Sequence, residues 1–243
     1  MFKPDLIVLE ETESTQDIAG KMALDEAPSG TSVMALRQIK GRGRSRSYWH
    51  SPPGKNLALS VIVRPTIKVQ ECPLLGMLAS ITTADLVDDL CHPFKAYLKW
   101  PNDVLIQDRK IAGILSEARI LNGIVEFIVL GVGLNINSRA EDFPDELCES
   151  LTSFFIITGK TFDLKKVGIS FLERLADLVH KVEHEGADFV PLLWEQRWRH
   201  KGQMLVRDGV MGTAIGIGPD GGLLMKIHDG EILNITSGTI SLL

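Results

Sequence analysis

Cysteine is scarce: Cys72, Cys91 and Cys148 are the three among 243 residues, widely spaced and with no CxxC pair. An odd, scattered set supports neither a disulfide framework nor a zinc knuckle, and leaves buried reduced thiols as the expectation. No apolar run reaches the roughly 20 residues of a membrane span. The best stretch, Ile124 to Leu134, has Glu126 inside it. Asp5, Glu10 and Glu11 interrupt any signal-peptide core near the start. Internal repeats and low-complexity tracts are lacking. A Walker A loop is missing too, because Gly159-Lys160-Thr161 ends like one while the position of its first glycine is Phe154. A cytoplasmic chain that contacts no membrane is expected, and 44% apolar residues are enough for a proper core.

The most informative absence is of acid. From Ala27 to Gln70 there is no Asp or Glu, while Arg37, Lys40, Arg42, Arg44, Arg46, Lys55, Arg64 and Lys68 supply eight positive charges. The whole chain is at −5, so everything outside this window carries −13. One contiguous segment of an acidic protein is therefore expected to attract anions. The acidic remainder argues against a dedicated nucleic-acid binder.

Along the chain, Ser14 or Thr15 reads as the cap of a helix carrying Ile18, Met22 and Ala23 at helical spacing. Strands are expected at Thr31 to Leu36 and Asn56 to Val63, flanking a basic, glycine-bearing loop from Gln38 to Pro53. Leu74 to Leu90 predicts a helix. Ala96 to Trp100, Val104 to Ile106, Lys110 to Ala118 and Gly123 to Val132 predict an antiparallel meander with a turn at Gln107-Asp108-Arg109. A loop at Asn135 to Asp145 and helices over Leu164 to Glu185 and Ala187 to Arg199 follow. Beyond about Lys201, glycine-marked turns separate Met204 to Val206, Gly212 to Ile217, Leu223 to Ile227, Ile232 to Ile235 and Thr239 to Leu242. Five such strands predict a small SH3-type barrel attached to an α+β domain.

Three strings imitate functional motifs. Gly216-x-Gly218-x-x-Gly221 fits a dinucleotide fingerprint but lies between two strands, so it reads as a hairpin turn. His180 and His184 have metal-ligand spacing, but Lys181, Glu183 and Glu185 make that helix face a solvated one. Asn234-Ile235-Thr236 is a glycosylation sequon only in a secreted chain. Four segments carry chemistry instead. Gln38 to Trp49 alternates glycine with arginine in Gly41-Arg42-Gly43-Arg44, letting backbone approach a ligand while guanidinium forks face an anion; Tyr48 and Trp49 offer stacking surfaces. Lys99-Trp100-Pro101-Asn102-Asp103 sets a cation at a strand end, suited to a carboxylate meeting a phosphate. Lys110-Ile111-Ala112-Gly113-Ile114-Leu115-Ser116-Glu117 breaks a strand pattern so that a ligand can lie on backbone. Gly131-Val132-Gly133-Leu134-Asn135-Ile136-Asn137 ends in asparagines that could meet a base or ribose.

Together with Glu13-Ser14-Thr15 upstream, these segments closely resemble the biotin–protein ligases (biotin–[acetyl-CoA-carboxylase] ligases) along essentially the whole chain. The resemblance implies a class II aminoacyl-tRNA-synthetase-like catalytic domain over 1–199, an SH3-like domain over 200–243, and a short form without the DNA-binding domain some members carry. It implies that biotin attacks MgATP to give biotinyl-5′-AMP, and that a lysine of a biotin carboxyl carrier protein then displaces AMP. No prosthetic group is expected, and magnesium, whose ligands the sequence leaves open, comes as the counter-ion of ATP. A homodimer is one assembly compatible with it. The resemblance assigns Lys99 to bridge carboxylate and α-phosphate, and Arg42 and Arg44, with Gly41, to the phosphate side. Ser14, Thr15, Gln16, Gln38 and Gly43 fall to the biotin site, with Gly113 and Ile114 as its strand wall. Trp49 packs on adenine and Asn135 contacts the purine.

The chain departs from the family pattern at Gln16, commonly Asn, at Arg46 and Ser47, commonly Gly and Arg, and at Lys40, commonly small. Two alternatives stay open: a lipoate or octanoate–protein ligase of the same fold, and a non-catalytic RNA-binding module using the basic loop.

Overall fold

The computed structural model describes residues 2–44, 47–238 and 240–242. Strands β1 (Asp5–Thr12), β2 (Thr31–Gln38), β3 (Leu57–Val63), β4 (Ala96–Lys99), β5 (Asp103–Ile106), β6 (Arg109–Leu121) and β7 (Ile124–Leu134) form one seven-stranded sheet in the order β1-β2-β3-β7-β6-β5-β4. β1 and β2 are parallel, joined by helix α1 (Thr15–Leu24), and the other neighbours are antiparallel. The expected meander is thus present as β4 to β7. Its tight β5–β6 turn puts Gln107 and Asp108 at positive φ.

Strand alternation sorts the two faces. Leu57, Leu59, Val61 and Val63 of β3, with Ile128, Leu130, Val132 and Leu134 of β7, belong to the main core, which also takes in α2 (Cys72–Leu90) and α4 (Leu164–Glu185). Residues of the opposite parity make two environments. Ile62, Phe127 and Val129 pack with Ala19 and Ala23 of α1, while Ala58, Ser60, Gly131 and Gly133 are too small to fill the space beside them and leave a cavity. The core on one face and α1 on the other therefore hold a sheet whose open part is lined by its smallest residues.

Helix α3 (Phe154–Thr158), capped by Ser153, was not apparent in the sequence. The helix expected over Ala187 to Arg199 is limited to α5 (Val190–Glu195). Past it the backbone turns to pair with β4, Leu98 N–H donating to the Arg197 carbonyl and Arg199 N–H to the Leu98 carbonyl, and tertiary pairing overrides local propensity. β1 is a further unpredicted strand. The loop after Asn135 contains a 3₁₀ turn at Ala140–Asp142. Among the described residues no helix is long and apolar enough to cross a membrane. Cys72 and Cys91 are buried free thiols as expected, whereas Cys148 is only half-buried.

The C-terminal strands β8 (Met204–Arg207), β9 (Val210–Ile217), β10 (Leu223–Ile227), β11 (Ile232–Ile235) and β12 (Ser241–Leu242) form a five-stranded antiparallel sheet in the order β11-β10-β9-β8-β12. The glycine string at 216–221 is its β9–β10 hairpin turn, with Gly221 at φ +80°. This turn docks on the large sheet: the Trp100 indole N–H donates to the Gly221 carbonyl at 3.1 Å, and Leu74, Met77 and Pro73 of α2 lie against Gly221.

His200, at the junction of the two sheets, is buried, and its Nδ1 has no partner among the described residues. Burial, then the charges of Lys99 and Arg199, lower its pKa, and Asp108 opposes them. The unfolded chain therefore takes up this proton first as pH falls. The His200 contribution to stability is complete above about pH 6.5 and is lost progressively below it. In urea unfolding at pH 7.5 and 5.5, His200→Gln is expected to lose less stability on acidification than the unmodified protein; equal losses would contradict it.

Candidate functional site

A cavity of about 360 Å³ opens on the small-residue face of the large sheet. Its floor follows from strand register. Ala58 of β3 pairs with Gly133 of β7, Gly133 with Gly113 of β6, Gly113 with Asp103 of β5, and Asp103 with Lys99 of β4. Four segments far apart in sequence thus meet in one cross-strand row, running from three minimal side chains to an acid and a base. The neighbouring row, Ser60, Gly131 and Leu115, lies beside it in the same cavity.

The two glycines make room without interrupting their strands, contrary to the break expected at Gly113. A Cβ on Gly133 would lie 2.3 Å from Trp49 Cε2, and one on Gly113 would lie 3.2 Å from Trp49 Cζ3. The Trp49 indole therefore covers the glycine pair, and its buried Nε1 has no partner among the described residues. Beside it the Lys110 ammonium stands 5.5 Å from the indole centroid and 2.6 Å from Asp103. Lys99 also reaches the cavity, and among the described residues it forms no ion pair.

Polar groups crowd one end. Gln38 Oε1, at the end of β2, accepts from Thr15 N–H at 2.8 Å and from Thr15 Oγ1 at 3.0 Å. Thr15 Oγ1 lies 2.9 Å from Ser60 Oγ, which donates to Gln16 Oε1 at 3.0 Å, and Gln16 Nε2 donates to the Val129 carbonyl at 3.1 Å. The longer amide of Gln16 fits because Gly131 is bare: a Cβ there would be 2.6 Å from Gln16 Oε1. Ser60, missed in the sequence as part of an apolar strand, is the central hydroxyl of this network. Its signal was its parity with Ala58, opposite to the large aliphatics around it.

The structure therefore brings together on the cavity wall Ser14, Thr15, Gln16, Gln38, Arg42, Gly43, Arg44, Trp49, Lys99, Gly113 and Ile114. Two candidates stand outside it. Gly41 supports the loop, its carbonyl accepting from Trp49 N–H at 2.9 Å. Asn135 is buried past the end of the row, where its Oδ1 accepts from Asn56 Nδ2 at 3.2 Å and its Nδ2 has no partner among the described residues. Asn137, offered with Asn135 for a base or ribose, is instead structural, exchanging hydrogen bonds with the backbone of Phe162. Arg46 lies outside the described residues.

The basic window is largely neutralised by acids from elsewhere in the chain. Arg37 pairs with Glu11, Lys40 with Glu13, Lys55 with Asp142 and Lys68 with Glu71, while Arg42 pairs with Asp17 and Glu117. Burial opposes the charge on Asp142, but Lys55 and the Arg139 N–H outweigh it and hold this carboxyl below its ordinary pKa. Arg64 caps three backbone carbonyls, those of Ala27, Glu126 and Ala23. Arg44 differs: it lines the cavity with no ion pair among the described residues, 3.4 Å from Asn102 Oδ1. Burial lowers its pKa from the ordinary value, with Asp103 opposing. Arg44 and Lys99 are thus two cations free to meet an anion. Groups of three or more His, Cys, Asp or Glu side chains able to cage a metal are absent among the described residues, and Asp103 is the carboxylate on the cavity wall.

Comparison with known proteins shows what the chain is similar to. The biotin/lipoate A/B protein ligase family matches residues 8–135. The bifunctional ligase/repressor BirA of Bacillus subtilis is 34% identical over 245 residues, covering 98% of this chain and 74% of that protein. The biotin–[acetyl-CoA-carboxylase] ligase of Mycobacterium tuberculosis is 33% identical over 174 residues, 70% of this chain and 62% of its own. Biotin protein ligase from Aquifex aeolicus, solved in complex with biotin and ATP, superposes with a TM-score of 0.81 at 29% identity, covering 99% of both chains.

Proposed function

This chain belongs to the biotin/lipoate A/B protein ligase family, and from that premise we propose that its cavity activates biotin with ATP and passes the biotinyl group to a carrier lysine. It is an ATP-dependent biotin ligase. A biotin carboxylate oxygen attacks the α-phosphorus of ATP, the bond to pyrophosphate breaks, and biotinyl-5′-AMP forms. The lysine amine of a biotin carboxyl carrier domain then attacks the mixed anhydride and AMP leaves. Both nucleophiles come from substrates, so the protein needs orientation and charge stabilisation rather than a reactive side chain of its own.

The observation that carries this assignment is the cross-strand row, which sets Lys99, without an ion pair among the described residues, at one end of a glycine-floored row. We assign Lys99 to the meeting point of carboxylate and α-phosphate, and Arg44 to the phosphate side. Trp49, seated on the Gly113–Gly133 pair, packs on the adenine through its outward face, Asn135 lies just past Gly133 on the purine side, and Gly113 and Ile114 wall the biotin. Ser14, Thr15, Gln16, Gln38 and Ser60 face the ureido ring, whose two N–H groups and carbonyl suit a floor of hydroxyls and amides. The apolar dithiolane of lipoate would leave such groups unpaired, which favours biotin over lipoate. Magnesium fits as an ion carried by the triphosphate, because it retains waters and needs only one or two carboxylates, here Asp103; bound there, it would neutralise phosphate charge.

We read residues 1–199 as the synthetase-like catalytic domain and 200–243 as an SH3-like domain. The carrier is a carboxylase subunit and the setting cytoplasmic, where ATP and such carriers meet. Neutralisation of the basic window disfavours an RNA-binding role. Incubating the purified chain with biotin, ATP and a carrier domain should add one biotinyl mass, with pyrophosphate exchange supported by biotin and not by lipoate. Exchange with lipoate alone would redirect the substrate, and exchange with neither would reject the activity. Arg44→Ala is expected to release biotinyl-AMP about tenfold faster or more, because a charge-assisted contact is lost. Retention equal to the unmodified enzyme would exclude Arg44 from that side.

A further inference from the structure

The described parts of the Gly-Arg segment, residues 41–44 and 47–49, pair antiparallel as the two arms of a hairpin. Arg42 bridges Tyr48 across it, Gly43 N–H donates to the Ser47 carbonyl at 2.7 Å, and Trp49 N–H donates to the Gly41 carbonyl at 2.9 Å. The guanidinium of Arg42 reaches out to two carboxylates on different elements: Asp17 in the first turn of α1, at 2.5 Å, and Glu117 on β6, at 3.4 Å. Neither acid lines the cavity, and the reaction above makes no use of either.

We propose that Asp17 and Glu117 are positioning residues that clamp Arg42 and so hold the hairpin over the reacting groups. Asp17 belongs to a helix packed on the sheet and Glu117 to a central strand, so both acids stand on rigid elements. Fixing Arg42 fixes Trp49 through the ladder across the hairpin, and Trp49 lies on Gly133. It also fixes Arg44 two residues on, beside Asn102. Arg42, its charge met by two carboxylates, organises the loop, and Arg44 is left to meet the phosphate. The inference rests on the adenylate reading of the cavity.

The pairs are partly exposed, so each is worth a factor of a few rather than a thousand. In the intact chain, Asp17→Asn combined with Glu117→Gln is expected to raise tryptic cleavage after Lys40, Arg42 or Arg44, without substrates, by about three- to fivefold. Leakage of biotinyl-AMP, read as biotinylation of lysines on an added bystander protein, should rise by a similar factor. Biotin-dependent pyrophosphate exchange should change by no more than about twofold, as for substitutions away from the reacting groups. Asp17→Glu, which keeps the charge, should stay near the unmodified chain. Unchanged cleavage and leakage with normal exchange would overturn the clamp, as would loss of exchange at an unchanged melting temperature, which would place the acids in the chemistry itself. Failure of the unmodified chain to exchange at all would instead overturn the adenylate reading.

Discussion

Lys99→Ala is expected to lower biotin-dependent pyrophosphate exchange by about 10²- to 10³-fold, the loss typical when one preorganised charge facing a transition state is removed. The reaction brings a carboxylate against a phosphate, and at about 4 Å two like charges repel by roughly 4 kcal/mol at the effective dielectric of a partly exposed site. Lys99 is placed to offset this. It ends β4 in register with Asp103, and it forms no ion pair among the described residues that would compete for its charge. For the same reason its removal breaks little, so the melting temperature should barely move. Lys99→Arg should recover only part of the rate, since a planar fork does not reproduce a compact point charge. A second signature needs no substrate: Lys99 is, after burial, a cause of the depressed His200 pKa, so the His200 titration should move upward in Lys99→Ala. Near-normal exchange in that variant would defeat the assignment.

How far the site was legible depended on whether its determinants were local. The long amphipathic segment Leu164 to Glu185 and the short apolar one Leu223 to Ile227 declared themselves, because their pattern is carried by neighbouring residues. β1 did not. It is an edge strand whose residues are mostly exposed or half-buried and include Glu10 and Glu11, and it is fixed by parallel pairing with β2. The end of α5 was equally hidden, being set by β4, a strand about a hundred residues earlier.

The acid-free window shows the same division. Its charge was plain in the sequence, but its purpose was not, because the neutralising acids lie outside it at Glu11, Glu13, Asp17, Glu71, Glu117 and Asp142. A surplus that suggested an anion site along the whole segment reduces, among the described residues, to Arg44 in the cavity. The motifs at 41–44, 99–103, 110–117 and 131–137 were visible as strings, and family resemblance supplied their order. Only strand register shows why three of them act together, since Lys99, Asp103, Gly113 and Gly133 occupy one row.

That row makes Gly133 the position where activity and stability should part company. Gly133→Ala puts a Cβ 2.3 to 2.7 Å from three indole atoms of Trp49, so the ring must leave its floor. The backbone has no objection, because Gly133 is an ordinary strand residue without positive φ, and alanine within a strand should add about 0.5–1 kcal/mol of stability. The displaced ring loses the place where its Nε1, buried and without a partner among the described residues, can donate to a ligand, a contact worth about 1–3 kcal/mol. We therefore expect kcat/KM for ATP to fall by about 10- to 100-fold, the loss of one such contact, while biotin affinity and the melting temperature hold or rise. Gly131→Ala, two residues earlier on the same face, should show the opposite selectivity. Its Cβ would strike Gln16 Oε1 and disturb the Thr15–Ser60–Gln16 floor, weakening biotin and sparing ATP. Calorimetric biotin binding beside ATP-dependent exchange in the two variants would reveal the crossing. If both weaken the same substrate, the cavity does not divide between adenine and the ureido ring, and the assignment of the two rows falls.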